Sequence, residues 1–188
     1  MEFVHKSVLL TQTVDGLGIK PNGIYVDCTA GGGGHSLEAA KRMDGSNKLI
    51  CFDQDKEAIA AATKRLEGYN PIFINRNFCT IRESLREIGI EHIDGAMLDL
   101  GVSSYQLDNA ERGFSFHEDA PLDMRMSGEG MSAYDVVNDY TAEELEHILF
   151  NYGEEKFARG IVKGIEKARA VSPIKTTGEL AEIIRNNT

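Results

Sequence analysis

Four consecutive glycines, Gly31 to Gly34, stand between an apolar run that ends at Asp27-Cys28 and a helical pattern that begins at His35. A strand, a glycine turn and a helix in that order make a nucleotide-site signal, because glycine supplies positive φ and lets a ligand approach the backbone without meeting a Cβ. Asp53 follows about 20 positions further on, at the end of a second apolar run, where an acidic side chain can accept hydrogen bonds from both hydroxyls of a ribose. Asp99 closes another apolar run in Met97-Leu98-Asp99-Leu100-Gly101. In an open parallel sheet the carboxyl ends of the strands are where ligands bind. A strand stop with ordinary turn chemistry would read the same way.

The loop lacks the lysine of a phosphate-cradling P-loop, and the third glycine position of the dinucleotide pattern is Ser36. A nicotinamide oxidoreductase is therefore the weaker enzymatic alternative. Asp27-x-Thr29-x-Gly31-x-Gly33 is instead the acidic-then-glycine arrangement typical of S-adenosylmethionine-dependent methyltransferases. In that reading Asp27 faces the ammonium and sulfonium of the cofactor. The Pro-Pro-aromatic tetrapeptide common in amine methyltransferases is missing after Asp99. A non-catalytic adenosylmethionine or nucleotide sensor, acting through its helical half, is thus the alternative from another class.

Elements must place these groups. Apolar runs at Gly23–Cys28, Lys48–Phe52, Ile72–Asn75 and Asp94–Leu98 alternate with helical patterns at His35–Met43 and Lys56–Leu66, the signature of βαβ units around a parallel sheet. A third helix is expected from Thr80, with a Thr80-x-x-Glu83 capping box and Ile81, Leu85 and Ile88 turned to the core. From Asp108 to Met131 a polar, glycine-containing stretch reads as loop or surface. Capping boxes at Thr141-x-x-Glu144 and Thr176-x-x-Glu179 then open further helices. A helix is also expected over Glu154–Arg169, with Phe157, Ile161 and Ile165 on one face and Lys156, Arg159, Lys163 and Lys167 on another. From Lys156 to Lys175 six basic residues stand against one acidic. A solvated helix face explains this, and so does a track for a phosphate backbone.

With 188 residues, 41% hydrophobic and 27% charged, the chain can bury a core and is not of disordered composition. The net charge of −10 argues against a protein that coats nucleic acid with its whole surface, though not against a local basic site. Cys28, Cys51 and Cys79 show no metal-ligand spacing, and each is expected to be a small buried hydrophobe in a reducing compartment. No apolar segment is long enough to cross a bilayer and the first residues lack a signal-peptide pattern, so a cytoplasmic protein is expected, without metal and without membrane.

Several stretches together resemble the bacterial small-subunit ribosomal RNA cytosine-N4 methyltransferases of the RsmH or MraW type. They are His5-Lys6-Ser7-Val8-Leu9-Leu10, Asp27 through Ser36, Asp53-Gln54-Asp55, Leu98 through Asp108, Arg112-Gly113-Phe114-Ser115-Phe116, Pro121 through Met126, and Tyr152-Gly153-Glu154-Glu155. The resemblance implies an α/β class I, Rossmann-like methyltransferase core over residues 1–108 and an inserted helical domain over 109–188. It also implies methylation of the exocyclic amine of a cytidine in the decoding region of 16S ribosomal RNA. Cofactor contacts carried over by position are Gly33, Gly34, His35, Asp53, Phe78, Asp99 and Gln106, where Phe78 by itself would read as a plain core aromatic. Asp99 is the expected acceptor or proton relay, followed by Ser103 and Ser104. Arg112 and Arg125, with Lys156, Arg159 and Lys163, are the expected RNA contacts. Family members continue past the position of Thr188 to finish the inserted domain and the sheet, so the chain is expected to be the front part of a longer enzyme.

Overall fold

A computed structural model describes residues 7–188; the His5-Lys6 part of the first family stretch lies outside the described residues. The chain divides into two compact units, residues 1–105 and 106–188.

The first unit is built on four parallel strands: β1 (Ile24–Asp27), β2 (Lys48–Phe52), β3 (Ile72–Ile74) and β4 (Gly95–Met97). Their order in the sheet is β3-β2-β1-β4. The chain therefore steps outward from β1 to β3, then returns to the other side of β1, which puts a topological switch point between β1 and β4. Val26, Ile50, Cys51 and Phe52 are fully buried, as a sheet covered on both faces requires. Helices α1 (Leu10–Gly16), α2 (Gly34–Arg42), α3 (Lys56–Arg65) and α4 (Ile81–Glu87) accompany the strands. All four strands coincide with the expected runs to within a residue at each end, but α1 carries no cap signal and escapes the periodicity.

Three local expectations are corrected. Thr80 makes no cap bond; its Oγ1 donates to the Asn77 carbonyl at 2.8 Å. A 3₁₀ turn, Phe78–Thr80, precedes α4, and it is capped one step upstream by Asn77 Oδ1, which accepts from the Cys79 N–H. Ile88 is 41% exposed, because α4 ends before it and the chain turns Ile90 into the core instead. Cys79 is exposed in the 3₁₀ turn, whereas Cys28 and Cys51 are buried as expected.

The boundary between units falls inside α5 (Ser104–Asp108). The second unit is helical: α6 (Ala133–Asp139), α7 (Ala142–His147) continued by a π-helical turn over Ile148–Tyr152, α8 (Ala158–Arg169) and α9 (Thr177–Arg185). The boxes at Thr141/Glu144 and Thr176/Glu179 both form. So does an unforeseen one at Ser132/Asp135, in which Asp replaces the usual Glu or Gln. Helix α8 begins only at Ala158 because Glu154 sits at φ 52 and breaks the backbone. Phe157 accordingly lies outside α8 and is 56% exposed, while Ile161, Val162 and Ile165 fill the core.

The stretch expected as loop or surface is partly interior. Leu122 is buried among Val137, Leu145, Ile161 and Ile174. Its backbone is held from two sides: Leu122 N–H donates to the Lys175 carbonyl at 3.0 Å, and its own carbonyl accepts from Tyr134 N–H at 2.7 Å. Pro121 and Thr176 form an antiparallel bridge beside it. Gly113, at φ 69, lies so close to the Pro121 carbonyl that a Cβ would collide. Removing the Leu122 side chain should therefore act as a core truncation: Leu122→Ala is expected to cost roughly 2–5 kcal/mol. Urea unfolding followed by circular dichroism checks this, since a surface position would lose less than about 0.5 kcal/mol.

Candidate functional site

The site begins at the carboxyl end of β1. Asp27 is 2% exposed, and both of its oxygens are engaged: Oδ2 accepts from Ser36 Oγ at 2.5 Å and Oδ1 from Thr29 N–H at 3.1 Å. This corrects the expectation that Asp27 faces the ligand. The carboxylate points into the protein, where it fastens the first turn of α2 to the loop. Ser36 Oγ also lies 3.3 Å from Cys51 Sγ on β2. Because the serine proton is given to Asp27, the thiol is the donor in that second contact. Burial pushes the Cys51 thiol up to about 12, so it keeps the proton it donates. A buried relay thus runs from Cys51 through Ser36 to Asp27.

The glycines above this relay are shaped by contact. Gly33 lies at φ 77 and packs so closely on α3 that a Cβ would stand 3.0 Å from Leu66 and 3.2 Å from the Ala62 backbone. At Gly32 the side-chain direction is open, with nothing nearer than the Arg65 guanidinium at 3.8 Å. Gly33 therefore serves the fold, and Gly32 leaves room for a ligand. Helix α2 starts at Gly34, whose first amides lie beyond the reach of intrahelical acceptors and suit an anionic group.

Asp53 stands just past β2. Its Oδ2 accepts from Gly31 N–H at 2.8 Å and its Oδ1 from Asp55 N–H at 2.9 Å, which fix the carboxylate against the glycine loop. Burial lifts its pKa above the usual carboxylate range, and those two N–H donors oppose the shift. The Gln54 N–H adds a third bond to the carboxylate, which still leaves it lone-pair capacity for a hydroxyl. Phe78, half-buried at the edge of the core, belongs to the 3₁₀ turn whose Asn77 amide donates to Gln54 Oε1 at 2.9 Å. That bond ties the aromatic's turn to the residue next to Asp53.

On the other side of β1, Thr29 Oγ1 accepts from Asp99 N–H at 2.7 Å. The switch point is bridged by this bond, which leaves the Asp99 carboxylate 56% exposed beside the loop. His35 is buried; its Nε2 donates to the Val8 carbonyl at 3.0 Å, and its Nδ1 faces Asp99 Oδ2 at 3.9 Å. Gly33, Gly34, His35, Asp53, Phe78 and Asp99 are thus assembled at one end of the sheet. Ser103 lies just before α5, partly exposed and engaged in its own contacts; Ser104 opens that helix, and its side chain lies outside the described residues. Gln106 belongs to the second unit, where it is buried. Thr29 and Ser36 are the positioning residues missed by sequence reasoning, although both stand in the loop string and could have been found by asking what holds a buried Asp27.

In the second unit Arg112 donates to the carbonyls of Arg125 and Met126 at 3.1 and 3.0 Å. Arg125 grips both oxygens of Asp123 and reaches the Gly130 carbonyl. These two arginines brace their own loop. Lys156, Arg159 and Lys163 are exposed, and Arg159 Nε lies 3.5 Å from Glu146.

A parallel sheet with a glycine turn after its first strand and carboxylates after its second and fourth is the Rossmann-like α/β fold of the methyltransferases. Within that class the chain belongs to the MraW methylase family, whose pattern matches residues 2–188. It is 58% identical over 187 residues to the ribosomal RNA small subunit methyltransferase H of Clostridium botulinum (strain Kyoto / Type A2), covering 98% of this chain and 60% of that protein. The protein of the same name from Clostridioides difficile (strain 630) is 53% identical over 188 residues with the same coverages. That from Oceanobacillus iheyensis is 52% identical over 187 residues, 98% of this chain and 58% of the relative. The chain therefore spans about 60% of the length of these relatives. Among the described residues no helix is long and apolar enough to cross a membrane, and no group of three His, Cys, Asp or Glu side chains is placed to hold a metal ion.

The buried relay yields a stability test. Ser36→Ala strips a donor from a buried carboxylate and should cost on the order of 1–3 kcal/mol. Desolvation raises the Asp27 pKa above its unfolded value, so the stability that its protonated form contributes is present below the ordinary carboxylate pKa and is lost as pH rises through the folded one. Asp27→Asn should flatten that fall, measured as urea midpoints across the acidic to neutral range.

Proposed function

We propose that the chain carries the cofactor site and part of the substrate surface of an enzyme that methylates the exocyclic N4 amine of a cytidine in 16S ribosomal RNA of the small subunit, in the cytoplasm. The observation that carries this reading is the Thr29–Asp99 tie, which holds an exposed carboxylate beside the glycine loop at the switch point. The names of the relatives support the ribosomal RNA substrate.

S-Adenosylmethionine fits the residues present and would supply an electrophilic methyl group. Asp53 would take its ribose hydroxyls, Phe78 would offer an apolar face to its adenine, and the glycine loop, open at Gly32, would bring the backbone of Gly33 and Gly34 to it. His35, Asp99 and Gln106 complete the proposed contacts. The cytosine amine is a poor nucleophile because its lone pair is delocalised into the ring. Asp99, by accepting a hydrogen bond from that amine, would turn the lone pair out of conjugation and then take the proton released when the nitrogen–carbon bond forms. Ser103 and Ser104 are the secondary candidates for holding the base. A paired cytidine would first have to be splayed out of its helix. The RNA backbone is assigned to Lys156, Arg159 and Lys163, and Arg112 and Arg125 contribute through the loop they brace.

Tritiated methyl transfer to isolated 30S subunits tests the reading, and adenosylmethionine binding without any transfer by the full-length protein would favour the sensor instead. In calorimetry Asp53→Ala should weaken adenosylmethionine about 10- to 100-fold, the worth of hydrogen bonds to a charged group. Asp99→Ala should lower kcat by about 10²-fold or more while leaving that affinity within a few-fold. Replacing Lys156, Arg159 and Lys163 by Gln should flatten the salt dependence of RNA binding by up to about 0.7 in log–log slope per residue.

A further inference from the structure

The second unit contains a pocket of about 660 Å³ between the end of α7 with its π-helical turn and the start of α8. Its lining includes Glu143, Glu146, Phe150, Asn151, Lys156 and Phe157. Phe150 is 62% exposed and Phe157 56%, an unusual use of two large apolar rings in a unit whose core is already filled by aliphatic side chains. The backbone is bent to put them there: the π turn presents Phe150 and Asn151 outward, and the left-handed Glu154 delays α8 so that Phe157 stays outside it. π turns and left-handed non-glycine residues are costly and concentrate at functional positions.

The polar groups around these rings are of three kinds. Lys156 and Arg159 stand at the pocket and Lys163 follows one turn along α8, all exposed. Glu143 and Glu146 provide carboxylates, Glu146 facing Arg159 at 3.5 Å. Asn151 provides an amide, whose Nδ2 donates to His147 Nδ1 at 2.8 Å and so leaves its oxygen directed by that bond. His147 is itself steadied edge-on by Tyr152, with ring centroids 5.5 Å apart. Exposed aromatic faces with cations alongside are how proteins stack single-stranded bases and hold their phosphates. Carboxylates and amides read base edges, a carboxylate pairing with an exocyclic amine.

We propose that this pocket is an accessory subsite for one unpaired nucleotide of the RNA substrate, its base stacked on Phe157 and Phe150 and its phosphate held by Lys156 and Arg159. The subsite rests on the RNA-binding reading above and deepens it by naming a base contact that needs no part of the glycine-loop site. Stacking itself is sequence-tolerant, and the two carboxylates in the lining favour a base with an exocyclic amine, cytosine, adenine or guanine, over uracil.

The chain contains no tryptophan, so Phe157→Trp places a single indole in the pocket. Titrating the full chain carrying this substitution with a short single-stranded RNA of mixed sequence should quench the indole emission. The quenching should saturate together with the fluorescence anisotropy of the same RNA carrying an end label. Inorganic polyphosphate, which offers charge without bases, should leave the emission unchanged. Phe157→Ala should weaken RNA binding roughly 5- to 100-fold, and Phe157→Tyr should restore it. RNA that binds by anisotropy without quenching, and equally well to Phe157→Ala, overturns the subsite and leaves RNA binding intact. Quenching by polyphosphate overturns base stacking in favour of a simple anion site. No RNA binding by the unaltered chain overturns the RNA reading itself.

Discussion

A carboxylate withdrawn from water is stable only when donors replace the water, and the Asp27 carboxylate obtains them from Ser36 and from the Thr29 backbone. Those two bonds fix the start of α2 and the first residue of the loop relative to β1. Thr29, once placed, accepts from Asp99 and so sets the end of β4 across the switch point. Asp53, gripping Gly31, sets the end of β2. Three strand ends and one helix start are therefore held by short side chains to a single glycine turn. Asp53 and Asp99 gain their places from bonds made to the loop itself.

The second unit solves the same problem with guanidinium groups. A stretch poor in regular structure must satisfy its backbone carbonyls, and Arg112 reaches two of them while Arg125 is locked to Asp123. Leu122 anchors this stretch in the core, and the Pro121–Thr176 bridge aligns it with the start of α9. Two glycines, Gly160 and Gly164, let the chain after α9 lie directly on α8, because a Cβ at either would meet Asn187.

Much of this was legible in the sequence, and the legible parts share a cause. The strands, the helices α2 and α3, and the boxes at Thr141 and Thr176 are specified by residues within a few positions of one another, as are the glycine turn and Asp53. What could not be read depends on packing between distant segments. The inward turn of Asp27 needs Ser36 brought back over it by the glycine turn, the burial of Leu122 needs Val137, Leu145, Ile161 and Ile174, and the struts of Arg112 and Arg125 need carbonyls that only a folded loop presents. Ile88 and Ile90 have the same side chain and nearly the same position, and the point at which α4 stops decided between them. Phe157 matched a helical period yet lies outside the helix, because Glu154 takes up a backbone conformation that residue types alone do not announce.

The distribution of the three thiols has a practical side. Cys28 and Cys51 are shut away from solvent and held protonated, pushed up to about 11 and about 12, whereas Cys79 lies open on the 3₁₀ turn. A thiol-reactive reagent therefore meets one sulfur in the described chain. It is the immediate neighbour of Phe78, so a dye or spin label attached there would report from the rim of the glycine-loop site without any cysteine having to be engineered in or out.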